Sequence, residues 1–168
     1  HGFDFTRAHL HMCQFQDADL SGAVFSGMDL TQCGFSGADL AGADFRNAKA
    51  DNSLFIKARL QRADFRKASL EQALFNEADL TFCNFGSARL IQAQFTDAVA
   101  SRAFFMNADL TYADFSRADL EGADFTFAKL FRANLHGIND KRTRWRGAAR
   151  QEALATDPKR LKAETFAP

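Results

Sequence analysis

From Phe5 to Leu135 every fifth residue is Phe or Leu, with Ala at only two of these positions, Ala50 and Ala100. Phe and Leu alternate as far as Leu130, so Phe recurs every tenth residue. Two residues before each of these positions, here numbered i, stands a small residue, most often Ala. No insertion breaks the phase, so one local geometry must serve the whole stretch. An α-helix buries residues at a period near 3.6 and a half-buried strand at a period of 2. A period of five is neither. It reads as a short extended segment followed by a tight turn, with i−2 and i on the inward face because side chains alternate along extended backbone. Residues i−1, i+1 and i+2 then face solvent. Asp fills i−1 at 4, 19, 29, 39, 44, 64, 79, 109, 114, 119 and 124. One such unit cannot bury its apolar side alone, so the units must stack as a solenoid.

The unit Ala-Asp-Leu or Ala-Asp-Phe followed by two polar residues resembles the pentapeptide-repeat family. It stands at Ala18-Asp19-Leu20, Ala38-Asp39-Leu40, Ala43-Asp44-Phe45, Ala63-Asp64-Phe65 and Ala108-Asp109-Leu110. The resemblance covers residues 3–135. It implies an all-β fold, a right-handed quadrilateral β-helix with four pentads per coil. The repeat domain is then 1–135, of nearly seven coils, and 136–168 is a C-terminal cap or tail. At about 4.8 Å per layer the rod would be roughly 30 Å long.

In that geometry Phe5, Phe25, Phe45, Phe65, Phe85, Phe105 and Phe125 stack as one column. Phe15, Phe35, Phe55, Phe75, Phe95 and Phe115 form the facing one. Leu20, Leu40, Leu60, Leu80, Leu110 and Leu120 belong to the Leu-lined sides. Ala50 and Ala100 are expected to leave either a cavity or a slight bend. Cys13, Cys33 and Cys83 all occupy the small i−2 slot and read as buried small hydrophobes. Cys13 and Cys33 fall in neighbouring coils, within reach of a disulfide, but free thiols suit a cytosolic protein better.

Of the 168 residues 46% are hydrophobic, with no apolar run long enough to span a membrane as a helix and no signal-peptide pattern. The chain starts His1-Gly2 without Met, which leaves room for an upstream domain. The net charge is zero, but residues 1–45 carry −5, 46–108 carry +3, 109–135 carry −2 and the tail +4.

The Asp ladder has two readings. Rods of the resembled family can mimic a DNA duplex and occupy the DNA-binding saddle of gyrase or topoisomerase IV, as quinolone-resistance members do. Alternatively, Asp at i−1 orients the turn through local hydrogen bonds. The second reading is preferred, because a duplex mimic needs an evenly negative face, and Arg46, Lys49, Lys57, Arg59, Arg62, Arg66 and Lys67 interrupt the rod. That basic cluster itself reads as a solvated charged face. His9 and His11 point outward without further ligands and do not make a metal site. No nucleophile–base pair, phosphate loop or paired carboxylates are recognisable, and a filled solenoid has no natural cavity. The sequence therefore implies no enzyme, no cofactor and no metal.

Outward apolar residues are the remaining signal. Leu54, Ile56 and Leu74 should lie on one side, Phe104, Met106 and Phe127 on the opposite side, and Tyr112 and Phe131 on a third. These are the candidate partner surface. After Leu135 the pentad fails. Thr143 to Ala155 has the pattern of a short helix, and Trp145, Leu154 and Leu161 are expected to cover the open last coil. Asp157 to Phe166 also resembles, weakly, the ends of pentapeptide-repeat proteins encoded near type VI secretion genes. The expected function is a non-catalytic scaffold presenting rigid faces to another protein, in a bacterial cytoplasmic or secretion-associated setting. A homodimer through an end coil or the cap is the self-association it offers. No direct nucleic-acid or membrane partner is expected.

Overall fold

The computed structural model describes residues 2–6, 8, 10 and 12–164. Parallel bridges join residues twenty apart along the whole repeat: Asp19 to Asp39, Asp39 to Arg59, Arg59 to Asp79. Four pentads therefore make one coil, and each coil lies in register on the next as a four-sided β-helix.

The hydrogen bonds of one pentad explain why five residues suffice. In the unit around Phe65, the Ala63 N–H closes the preceding turn on the Leu60 carbonyl (2.9 Å), and Asp64 N–H reaches back one coil to Ala43 (2.9 Å). Phe65 N–H and Lys67 N–H reach forward one coil, to Asn84 (2.7 Å) and Gly86 (3.0 Å). That leaves the N–H of i+1, which the solenoid ladders do not use. Asp64 Oδ1 accepts it from Arg66 (3.0 Å). The same bond recurs from Ser21 to Asp19, Thr31 to Asp29, Thr81 to Asp79 and Thr126 to Asp124. A buried-edge donor left unpaired is costly, so the Asp ladder is the fifth hydrogen bond of the repeat. Asn84 and Asn134 do the same work without charge.

The residue at i+2 takes a positive φ near 60° in pentad after pentad, at Gln32, Lys57, Arg62, Glu77, Arg102 and Tyr112 among others. This left-handed conformation excludes β-branched side chains on steric grounds. No Val, Ile, Thr or Pro stands in that slot from Gly2 to Gly147.

Phe rings stack in two columns with centroids 4.5–5.2 Å apart and near-parallel planes, for example Phe45 on Phe65 (4.6 Å) and Phe95 on Phe115 (4.5 Å). The columns meet edge to face, as Phe55 does with Phe65 at 5.6 Å and 85°, the arrangement the aromatic quadrupole favours. Phe25 through Phe125 are fully buried, whereas Phe5 and Phe15 are only partly so, because no coil lies above the first one. Ala50 and Ala100 are buried, and the ladder passes straight through them: Ala50 N–H to Ser69 and Ala100 N–H to Asp119, both 2.8 Å. The backbone register is unbroken at both positions.

All three cysteines are free. Cys33 Sγ donates to the Leu10 carbonyl and Cys83 Sγ to the Leu60 carbonyl (both 2.7 Å), just as Ser53 Oγ does to Leu30 (2.6 Å). Burial pushes both thiols up.

Coil geometry runs on past Leu135. Asp119 bridges Asn139, Asp124 bridges Arg144 and Asn134 bridges Leu154. The helix expected at Thr143 to Ala155 is absent. A 3-10 turn at Arg150–Glu152 lies between the bridged residues Arg144 and Leu154, and a helix, α1, at Pro158–Glu164 stands beyond the last bridge. The reason is the exposed edge of the coil before it. Leu120 N–H and Phe125 N–H need acceptors and take the carbonyls of Asn139 and Arg144 (2.8 Å each) whatever side chains those residues carry. Pro158 opens α1, where its missing N–H costs nothing.

Of the expected cap residues, Leu154 is the one the structure places elsewhere. Trp145 stacks on Phe125 at 4.6 Å and extends the Phe column. Leu154 occupies an outward i−1 position and is exposed rather than covering the end. Leu161, on α1, lies against the turn at Gly137. Of the residues read for metal binding or for the type VI resemblance, His9, His11 and Phe166 lie outside the described residues.

Candidate functional site

The i−1 carboxylates, once candidates for duplex mimicry, are engaged inward on the turns and laterally with bases. Asp44 and Asp64 each pair with the Arg two residues on (2.6 and 2.5 Å). Arg144 pairs with Asp124 across one coil (3.4 Å), as Arg59 does with Asp39 (3.2 Å). Arg89 pairs with Glu71. Several carboxyls are held below their ordinary range. The Ser21 hydroxyl and N–H do this for Asp19, the Thr31 hydroxyl and N–H for Asp29, and the Arg46 side chain for Asp44.

These shifts carry a pH signature. A carboxyl bound more tightly to protons when unfolded than when folded contributes stability that is complete above the unfolded pKa, about 4. That contribution is lost as pH falls through the lower folded values. The thermal midpoint should be flat between about pH 7 and 5 and drop below about pH 4. A variant carrying Asp19→Asn, Asp29→Asn and Asp44→Asn keeps a turn acceptor but cannot titrate, so its acid loss should be smaller. Thermal melts followed by circular dichroism across that range check this. An identical acid loss in variant and parent would remove the turn carboxylates as its cause.

Among the described residues, no three His, Cys, Asp or Glu side chains gather as metal ligands, and no helix is long and apolar enough to cross a membrane. Surface grooves are shallow and open, while the interior is filled by Phe, Leu and Ala.

The outward apolar residues separate onto the sides the period assigns. Leu54 and Leu74 are bridge partners, and with Ile56 they are half-buried, a flush apolar strip rather than protruding side chains. Tyr112 and Phe131 make an exposed edge-to-face pair at 5.7 Å. Phe104, Met106 and Phe127 are all exposed on the opposite side from Leu54.

The sequence reading missed Phe82. It stands at a corner, at i+2, directly between Arg62 and Arg102 in the adjoining coils, whose guanidinium carbons lie 5.9 and 5.5 Å from its ring centroid. The signal lay in the twenty-residue spacing of Arg62, Phe82 and Arg102, legible once the coil length is known.

Family models described as a pentapeptide repeat region and as pentapeptide repeats (8 copies) match residues 8–85, and 88–126 with 110–139, respectively. No curated protein matches the chain by sequence. Among solved structures, a trypsin-treated variant of QnrB1, a plasmid-mediated fluoroquinolone resistance protein, is similar with a TM-score of 0.55 at 19% identity. That match covers 99% of this chain and 95% of that one. A pentapeptide repeat protein from the Arabidopsis thaliana thylakoid lumen is 34% identical over 63% of this chain and 69% of its own, with a TM-score of 0.47. HetL, a pentapeptide repeat protein involved in heterocyst differentiation regulation from the cyanobacterium Nostoc, is 23% identical over 92% and 90%, with a TM-score of 0.31. At these identities the QnrB1 likeness is one of fold.

Proposed function

The chain belongs to the pentapeptide-repeat family, and on that premise we propose that it is a non-catalytic protein-binding rod whose flat sides present outward apolar residues to a partner. The observation that carries this reading is the pairing of a filled interior with contiguous exposed apolar side chains at Phe104, Met106 and Phe127. A rigid ladder of backbone hydrogen bonds pre-orders those side chains, so little conformational entropy is lost when a partner docks. The right-handed rod would act as an adaptor in a bacterial cytoplasm, and a type VI secretion component is one class of partner it would suit.

The alternative is a modulator of gyrase or topoisomerase IV that imitates DNA. The fold likeness to QnrB1 favours it. The distribution of charge weighs against it, since the carboxylates on the rod's central coils are matched by Arg46, Arg59, Arg66 and Arg89.

The test is affinity capture from bacterial lysate with the parent rod and two variants, Leu54→Ser/Ile56→Ser/Leu74→Ser and Phe104→Ser/Met106→Ser/Phe127→Ser, with bound proteins identified by mass spectrometry. A protein retained by the parent and lost from one variant is the expected result. Identical retention by all three would sink the reading. Gyrase or topoisomerase IV subunits, released by raised salt, would promote the mimic instead.

A further inference from the structure

We propose that the side running from Phe82 to Phe127 binds an acidic polypeptide segment bearing apolar anchor side chains, which rests on the protein-binding reading and supplies its site and partner chemistry.

The apolar part is contiguous by construction. In three successive coils the side offers Phe82 at one corner, Phe104 and Met106 across its middle, and Phe127 at the other corner. The bridges Asn84 to Phe104 and Phe104 to Asp124 fix Phe104 at the centre. Phe82, Phe104 and Met106 are each more than a third exposed (37%, 36% and 37%), and Phe127 is 56% exposed. The Phe127 ring packs down over Gly147, whose added Cβ would meet the ring at 2.4 Å. Beside Phe104 a groove of about 390 Å³ lies between Phe82 and Gly122 and the charged side chains of Arg102, Arg142, Arg144, Glu121 and Asp124. A partner side chain can lie along this shallow groove against Phe82 and Phe104.

Charge decides which partner. From Asp44 onward the carboxylates of this side are already matched: Asp44 by Arg46, Asp64 by Arg66, Asp124 by Arg144, and Glu121 at the corner by Arg142 (3.6 Å). Four exposed cations around the same patch, Arg62, Lys67, Arg102 and Arg146, have no carboxylate within ion-pair distance among the described residues. The surplus is therefore positive and rims the aromatic patch on both sides. The Arg62 and Arg102 guanidinium groups, from the coils on either side, both lie over the Phe82 ring. A stacked guanidinium keeps its donor edge free for a carboxylate at reduced entropic cost. Carboxylates arriving there complete an apolar core with a charged rim, the usual anatomy of a protein interface.

A nucleic acid fits less well. Asp64, Glu121 and Asp124 would oppose a continuous run of phosphates. Phe82 already has two guanidinium groups over its ring, which obstruct the stacking of a base.

The test is fluorescence anisotropy with a short fluorescein-labelled peptide rich in Glu and carrying two Leu. Its counterparts have Gln for every Glu, or Ser for both Leu, and a labelled oligothymidine single strand is the nucleic-acid probe. The parent rod should bind the Glu/Leu peptide and lose about tenfold or more in affinity with either counterpart. The same loss is expected for the parent peptide on Phe104→Ser/Phe127→Ser and on Arg102→Glu/Arg146→Glu. The Arg102 site accepts Glu, since Glu77 already holds the same positive φ. Unchanged melting curves confirm that these outward variants fold. The Leu54→Ser/Ile56→Ser/Leu74→Ser rod should bind the peptide as the parent does. No binding, equal loss in that last variant, indifference to the Glu-to-Gln change, or tighter binding of oligothymidine would overturn the proposal. Peptide failure alongside lysate capture that depends on Leu54, Ile56 and Leu74 would remove this site and leave the protein-binding reading standing.

Discussion

Phe65→Ala is expected to cost about 3–5 kcal/mol of stability. Phe65 is fully buried and stacked between Phe45 at 4.6 Å and Phe85 at 5.0 Å, with Phe55 and Phe75 edge-on at 5.6 and 5.8 Å. Removing its ring therefore deprives four aromatic neighbours at once. The void has little means to close, because the hydrogen-bonded coils on either side hold the layer spacing: Phe65 N–H to Asn84 and Phe45 N–H to Asp64 are 2.7 and 2.8 Å. Phe65→Leu should cost far less, since Leu already fills the equivalent inward slot on the other two sides, at Leu60 and Leu70. Each coil touches only its neighbours, so a gap in the middle also uncouples the two halves. Urea unfolding of Phe65→Ala should show a lower midpoint and a shallower, broadened transition. A single sharp transition displaced by less than about 1 kcal/mol would mean that the coils do collapse around the gap.

The inward face was legible because it is redundant. Twenty-seven positions in phase leave no freedom about which side of the chain is buried, and the stacking of Phe25 on Phe45 or Phe35 on Phe55 follows once coils hold four pentads. The last coil was not legible, because what places Asn139 and Arg144 is the demand of Leu120 and Phe125 for carbonyl partners, a property of the neighbouring backbone and not of the residues themselves. Trp145 shows the limit well. Its position continues the count of five, yet the polar residues around it hide the phase. The turn slot was half legible: Asp at i−1 suggested a local acceptor, but its donor, the N–H of i+1, emerges only after the other four N–H groups are accounted for. The candidate surface is the least legible part. Phe82 is unremarkable among nineteen Phe in the chain, and its meaning comes from Arg62 and Arg102 at twenty residues' remove.

Ala63→Asp should be more damaging than any truncation, and its damage should depend on pH. Ala63 is fully buried in the i−2 slot. That slot accepts a donor: Ser53, Cys83 and Thr143 each give a hydrogen bond to a carbonyl twenty-three residues earlier. Ala63→Ser is therefore expected to be tolerated, with the Leu40 carbonyl as its acceptor. An ionised carboxylate only accepts, and the N–H groups around it already serve the ladders, including Ala63 N–H to Leu60 and Asp64 N–H to Ala43. The introduced carboxylate would have to take up a proton to stay inside. A fully buried carboxyl rises by about 3–5 pKa units, and because the unfolded carboxyl titrates near pH 4, ionisation at neutral pH costs about 4 kcal/mol, to which overpacking the Ala slot adds about 1–3 kcal/mol. Here the folded pKa lies above the unfolded one, so the folded state holds more protons and stability grows as pH falls toward about 4. Between about pH 7 and 5 the parent rod should be flat, and Ala63→Asp alone should recover. Thermal melts of parent, Ala63→Ser, Ala63→Asn and Ala63→Asp at both ends of that window separate charge from bulk: Ala63→Asn matches Ala63→Asp in size but should not respond to pH. Equal melting of Ala63→Asp and Ala63→Ser at neutral pH would show that the slot reaches water, and that the interior of the rod is less dry than its stacked Phe columns imply.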